Sequence, residues 1–231
     1  MNMYRIDHSP KTCRNANGLL VAAIALQNPN VRFSVTLPQK TPPELYTPTD
    51  ADIKTLLTHI KGTEYEKAVL LSAFGTLRRG EVCAITYDDI QGDEIRINKE
   101  LIIVKGKGWI EKAPKTSQSI RTVKYPHKVI ERLLQDRGKA ERVVNLNPDA
   151  ITHKHAKVLK EIGLPHFRFH DLRAYAISIR HAIGIPDVYI MQDSGHKTDT
   201  VMKQIYRRSM SDKRKEFSDK VSQHFDAMYT T

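Results

Sequence analysis

The sequence predicts a mainly α-helical protein with a small antiparallel β-sheet (α+β), and three observations point there. Apolar residues recur at helical spacing ahead of Phe74 and again beyond Pro126. Between them, after Asp89, the period drops to two over short runs separated by Gly-rich and Lys-rich turns. The chain has 231 residues, 40% of them apolar and 27% charged, which suits one large domain with a real core, or one domain with an appended piece.

Ser9-Pro10 reads as a helix cap with proline at the first helical position. The helix runs to about Gln27, with Leu20, Ala23, Ile24 and Gln27 on one side. Four of the 11 prolines follow, at Pro29, Pro38, Pro42 and Pro43. Residues 1–44 therefore read as one helix plus a linker, and residues 45–231 as the main domain. A lone helix cannot bury its own apolar face, so the expectation is that it closes a domain whose remainder is absent from this chain. Thr47-Pro48-Thr49-Asp50 predicts a capping box with Pro at N1, ahead of Ile53, Leu56, Leu57 and Ile60. Thr63 and Glu66 repeat the box before Ala68–Phe74. Strands are expected over Glu94–Asn98, Leu101–Val104 and Ser119–Tyr125. Helical signals resume at Pro126–Asp136, Asp149–Ile162, Asp171–Ile183, Asp187–Ser194 and Asp212–Met228.

Charge narrows the function. Thirty-seven Lys+Arg against 26 Asp+Glu leave a net +11, which calls for a polyanionic partner, nucleic acid or an anionic membrane. The two cysteines, Cys13 and Cys83, exclude a disulfide framework and any Cys-based zinc module, and suit a reducing compartment. The longest apolar run, Leu19–Leu26, is too short to span a bilayer. A cytoplasmic protein that meets nucleic acid is the expectation. Lys99–Lys124 holds seven Lys/Arg against two acids, and Lys203–Lys220 seven against three. Lys105, Lys107, Arg121, Arg207 and Arg208 are the expected phosphate contacts, which set affinity and salt dependence rather than sequence choice.

Several short segments carry possible chemistry. In His170-Asp171-Leu172-Arg173, a helix start places His170 and Arg173 on one face beside outward backbone N–H groups, a phosphate-binding geometry. Ser194-Gly195-His196 puts a histidine just past a helix ended by glycine. Tyr206 is followed by Arg207 and Arg208, and Leu77-Arg78-Arg79-Gly80-Glu81 can turn one arginine inward with Glu81 to hold it. Each alone has an ordinary structural explanation.

Taken together and in this order, with Pro114-Lys115-Thr116 and Arg121 between them, these segments resemble the tyrosine recombinases, the phage-integrase family. The likeness is strongest to integrases of Gram-positive prophages and conjugative transposons, and it covers about Leu45–Met228. It implies the family's catalytic-domain fold. It also implies that Ser9–Gln27 is the closing helix of a core-binding domain. Residue by residue, Arg78 matches the first catalytic arginine, Lys115 the β-hairpin lysine, and His170 and Arg173 the His-x-x-Arg pair. His196 matches the later histidine, Tyr206 the nucleophile, and Glu81 the acid that supports the first arginine. Three positions depart from the family pattern: Gly75-Thr76 stands where Thr-Gly is usual, Ala174 where His is frequent, and Ser194 where Leu is usual.

The implied reaction cuts and rejoins duplex DNA through a 3′-phosphotyrosine, without metal, ATP or any other cofactor. Arg78 and Arg173 present planar forks to the non-bridging phosphate oxygens, with His196 as a further donor. The Tyr206 phenol must lose a proton during attack, and His170 is the expected base; Lys115 protonates the leaving alkoxide. The family works on DNA attachment sites as a homo-tetramer, and the free chain is expected to be a monomer, nucleoid-associated and away from membranes. Two other readings use the same residues: a type IB topoisomerase-like relaxing enzyme, and an integrase remnant that only binds DNA.

Overall fold

A computed structural model describes residues 8–32, 34–39, 46–113, 120–196 and Ser222. The chain divides into two compact units, Met1–Leu45 and Tyr46–Thr231. In the first, helix α1 (Pro10–Gln27) begins where the Ser9 hydroxyl accepts the Thr12 N–H at 3.2 Å, with Pro10 supplying a preset φ. The segment after it returns to α1, where Arg14 donates to the Pro38 carbonyl at 2.9 Å. Leu19, Leu20 and Leu26 on α1 are exposed.

The second unit opens with α2 (Asp50–Ile60) and α3 (Glu64–Gly75). The α2 cap is Thr49, not Thr47, so Pro48 lies outside the helix rather than at N1. Thr49 wins because Asp52 stands three residues on: its carboxylate accepts the Thr49 N–H at 2.8 Å, while the Thr49 hydroxyl accepts the Asp52 N–H at 3.2 Å. Thr63 caps α3, but Glu66 completes no box there. Its carboxylate takes the Gly62 N–H and Arg132 instead. Helix α3 is buried on nearly every side and forms the axis of the core with Leu56, Ile60, Leu77 and Ile85. Each such fully buried aliphatic side chain contributes roughly 1.5–3 kcal/mol. Gly75 ends α3 where a Cβ would fall 1.6 Å from the Tyr125 hydroxyl, so no other residue fits.

Helix α4 (Arg79–Val82) and a 3₁₀ turn (Tyr87–Asp89) lead into β1 (Ile90–Gln91) and β2 (Glu94–Ile97). Strands β3 (Glu100–Val104), β4 (Gly108–Lys112) and β5 (Arg121–Lys124) follow. The single sheet expected from the sequence is two sheets: an antiparallel β1-β2-β5 and a separate β3-β4 hairpin. Glycine and lysine at the ends of β4 give it the local character of a turn; pairing with β3, Ile102 opposite Ile110, makes it a strand. In the first sheet Ile95 pairs with Val123 and Ile97 with Arg121. That register matters below.

Four helices complete the described core unit. They are α5 (His127–Leu134), α6 (Pro148–Glu161), α7 (Phe169–Ala182) and α8 (Asp187–Ser194). Asn147 caps α6, accepting the Ala150 N–H at 2.8 Å, so the helix starts at Pro148, one residue before the expected Asp149. Helix α7 starts at Phe169 because Asp171 accepts the Arg168 N–H at 2.7 Å and so occupies its third position, not its first. The expected helix Asp212–Met228 lies outside the described residues.

Candidate active site

Helix α8 ends at Gly195, whose φ of 64° takes the left-handed turn that stops a helix. The last carbonyls of a helix lack internal partners and stand at its negative end, so they attract cations. Three arginines from distant parts of the chain meet them in succession. Arg121 Nε donates to the Asp193 carbonyl at 2.7 Å, Arg173 Nη2 to Ser194 at 2.6 Å, and Arg78 Nη2 to Gly195 at 3.0 Å. One helix terminus thus gathers Arg78 and Arg173 beside His196, which follows Gly195 directly.

Glu81 supplies the countercharge. On the short α4, its carboxylate accepts the Arg78 backbone N–H at 2.7 Å and Arg78 Nη1 at 2.8 Å. Arg121 grips the same carboxylate with both terminal nitrogens, at 2.9 and 2.8 Å. Burial alone would raise the Glu81 carboxyl, but the Arg121 hydrogen bonds and charge, aided by Arg78, hold it at about 2. Arg173 is only 1% exposed, whereas the Arg78 side chain is 36% exposed, so Arg78 is the guanidinium more open to an incoming anion.

The histidines respond to this surplus of positive charge. Burial, then Arg173 and Arg78, push His196 down to about 4, so its ring is neutral at neutral pH. Surrounding protein, then Arg173, also lower His170, which keeps an exposed edge. A neutral imidazole can accept a proton or donate one N–H, but adds no further cation. Beside the arginines lies a cleft of about 520 Å³, lined by Arg78, Arg79, His166, Arg168 and His170, with Phe167 and Phe169 as aromatic wall.

Residues 48–213 match the model of the phage integrase family. The chain belongs to the phage integrase family. A curated relative, a XerC-like tyrosine recombinase of Caldanaerobacter subterraneus subsp. tengcongensis, is 26% identical, over 88% of this chain. The chain spans 64% of that relative's length. Among solved structures, the Tn1549 transposon integrase in complex with transposon right end DNA has a TM-score of 0.76 at 19% identity. That match covers 89% of this chain and 77% of the solved integrase fragment. A lambda integrase tetramer bound to a Holliday junction matches at TM-score 0.53 and 16% identity, over 72% of this chain and 49% of that one. These likenesses show that the fold is that of tyrosine-recombinase catalytic domains.

Set in this integrase fold, the sequence expectations divide. Arg78, Glu81, Arg173 and His196 come together, with His170 lining the adjoining cleft. Lys105 and Lys107 sit exposed at the tip of the β3-β4 hairpin. Lys115, Tyr206, Arg207 and Arg208 lie outside the described residues. Arg121 does not reach the surface expected of a phosphate contact. It is buried and committed to Glu81 and the Asp193 carbonyl, bracing the site from inside. A signal for this exists in the sequence: β5 alternates buried and exposed, so Arg121 shares the inward face of Val123. Trp109 packs partly against the core.

The departure at Gly75-Thr76 also acquires a physical meaning. Thr76 ends α3 in the left-handed region, at φ 62°, where a branched residue costs roughly 1–2 kcal/mol. Its hydroxyl donates to the Asp193 carbonyl at 2.9 Å, and its own carbonyl accepts from Arg173. Thr76 therefore ties the segment entering Arg78 to the end of α8, which nothing in the local sequence announced.

Proposed function

We propose that this integrase-family chain is a site-specific DNA recombinase that cuts and rejoins duplex DNA through a 3′-phosphotyrosine on Tyr206. The observation that carries the reading is the convergence of Arg78, Arg173 and His196 at the end of α8, beside a basic cleft. Such fixed donors match the charge that develops on the non-bridging oxygens of a five-coordinate phosphorus. Tyr206 attacks phosphorus, the bond to the 5′ oxygen breaks, and the freed alkoxide takes a proton from Lys115. His170, neutral because of its surroundings and Arg173, accepts the phenol proton. Glu81 and Arg121 hold Arg78 in place. Lys105, Lys107, Arg207 and Arg208 contact flanking phosphates.

The partners in this reading are double-stranded attachment sites, with a homo-tetramer on DNA and a monomer when free, in the cytoplasm at the nucleoid. No helix among the described residues is long and apolar enough to cross a membrane. The test uses a pool of randomised, nicked duplexes: covalently attached DNA is recovered after denaturing electrophoresis and sequenced. An enriched sequence joined to protein through a 3′-phosphate supports the recombinase. Adducts without any enrichment favour a relaxing enzyme, and binding without adducts leaves only a DNA-binding remnant.

A further inference from the structure

Ser194, where the family usually has leucine, is completely buried and places its hydroxyl oxygen 2.8 Å from His196 Nδ1. A leucine could make no such contact. The direction of this hydrogen bond follows from what else lies within reach. The hydroxyl has one proton and two possible acceptors: His196 Nδ1 and the Met191 carbonyl, the latter at 3.5 Å. The Met191 carbonyl already accepts the Gly195 N–H at 2.8 Å and the His196 N–H at 3.3 Å. A third donor at the outer limit of hydrogen-bond distance competes poorly with the Nδ1 lone pair at 2.8 Å, whose other neighbour, Arg173 Nη2, is 3.4 Å away.

We propose that Ser194 is a positioning residue that sets the tautomer of His196, its hydroxyl donating to Nδ1 so that the ring proton resides on Nε2. Resting on the recombinase reading, this makes Nε2–H a fixed donor to the phosphate oxygen held by Arg173. Arg173 Nη2 lies 3.3 Å from Nε2 and 3.4 Å from Nδ1, so this donor selects neither tautomer and the choice falls to the Ser194 hydroxyl; a phosphate oxygen beside Arg173 can then take both its N–H and Nε2–H. A neutral imidazole has a single N–H, and the hydrogen bond at one ring nitrogen decides where it sits. With Ser194 in place, that N–H is not wasted on the protein interior.

The test reads the ring directly. In ¹⁵N-labelled protein at neutral pH, long-range proton–nitrogen spectra, with His196 assigned through its loss in His196→Gln, should show Nε2 protonated and Nδ1 bare. In Ser194→Ala both tautomers should become populated, and the two nitrogen shifts should move toward each other. On a nicked duplex under single-turnover conditions, Ser194→Ala should cleave about tenfold more slowly, with DNA affinity unchanged. A wild-type ring protonated on Nδ1, or a Ser194→Ala spectrum identical to wild type, overturns the proposal. The wild-type spectrum decides even if the variant folds poorly. If the tautomer shifts as expected but neither protein forms an adduct, the Ser194 assignment stands and the recombinase reading falls.

Discussion

Glu81 is one carboxylate facing two guanidiniums, and its removal or theirs tests the site at the scale of single side chains. Arg121→Ala leaves a buried carboxylate without its bidentate partner, which should cost about 3 kcal/mol in denaturant unfolding. The salt slope of DNA binding should stay the same, because Arg121 faces inward; a true phosphate contact would lower that slope by about one. An unchanged stability with a reduced slope would return Arg121 to the surface role expected from the sequence. Tyr206→Phe should abolish the covalent adduct while leaving DNA affinity nearly unchanged, since the ring stays and only the nucleophile goes. An adduct that survives denaturing electrophoresis in the Phe protein would move the nucleophile elsewhere.

At the scale of elements, His155 joins three of them. Its Nε2–H donates to the Phe167 carbonyl at 2.9 Å on the approach to α7, so Nδ1 accepts from Tyr65 on α3, while the histidine itself belongs to α6. Burial, opposed by the Phe167 hydrogen bond, lowers this ring to about 4 from the usual 6.5. An unfolded histidine takes up a proton below about pH 6.5 and the folded one does not. The stabilisation is therefore complete above that pH and drains away as pH falls toward 4, about 3 kcal/mol in all. His155→Gln should flatten the acid limb of unfolding stability by about 1.4 kcal/mol per pH unit, read from denaturant midpoints across that range. His196 adds to the limb with the same sign. In the sequence beyond the described residues, Phe217, Val221, Phe225 and Met228 recur at spacings of four, four and three, the pattern expected of an apolar helix face. If that face docks on a neighbouring subunit in the proposed tetramer, deleting residues 211–231 should weaken assembly on DNA and spare the fold; an unchanged complex size in sedimentation would count against such docking.

For the molecule as a whole, the net charge of +11 sets how the proposed binding of DNA depends on salt. If about six phosphates are contacted, affinity should fall roughly a thousandfold as salt rises from about 50 to about 200 mM. Lys105→Gln together with Lys107→Gln, at the exposed hairpin tip, should reduce the slope by about two without changing which sequences are preferred. Titrations at several salt concentrations measure this, and a slope near zero would mean that the basic surface does not track the backbone.

Local rules were enough for the caps at Ser9 and Thr63, the span of α8 and the helix–strand–helix order, because each rests on groups within one turn or one strand of each other. Arg78, Glu81, Arg173 and His196, which the fold brings together, stand in short motifs whose order and spacing are visible in one dimension. What the sequence could not decide is who meets whom across the fold. Arg78 and Gly195 are 117 residues apart, and no periodicity records that a guanidinium will find that carbonyl. The tie of the strained Thr76 to Asp193 and the meeting of Arg121 with Glu81 and the end of α8 depend on such distant pairings. Tertiary structure settled them because unpaired helix carbonyls and a buried carboxylate each demand a partner that only packing brings within reach.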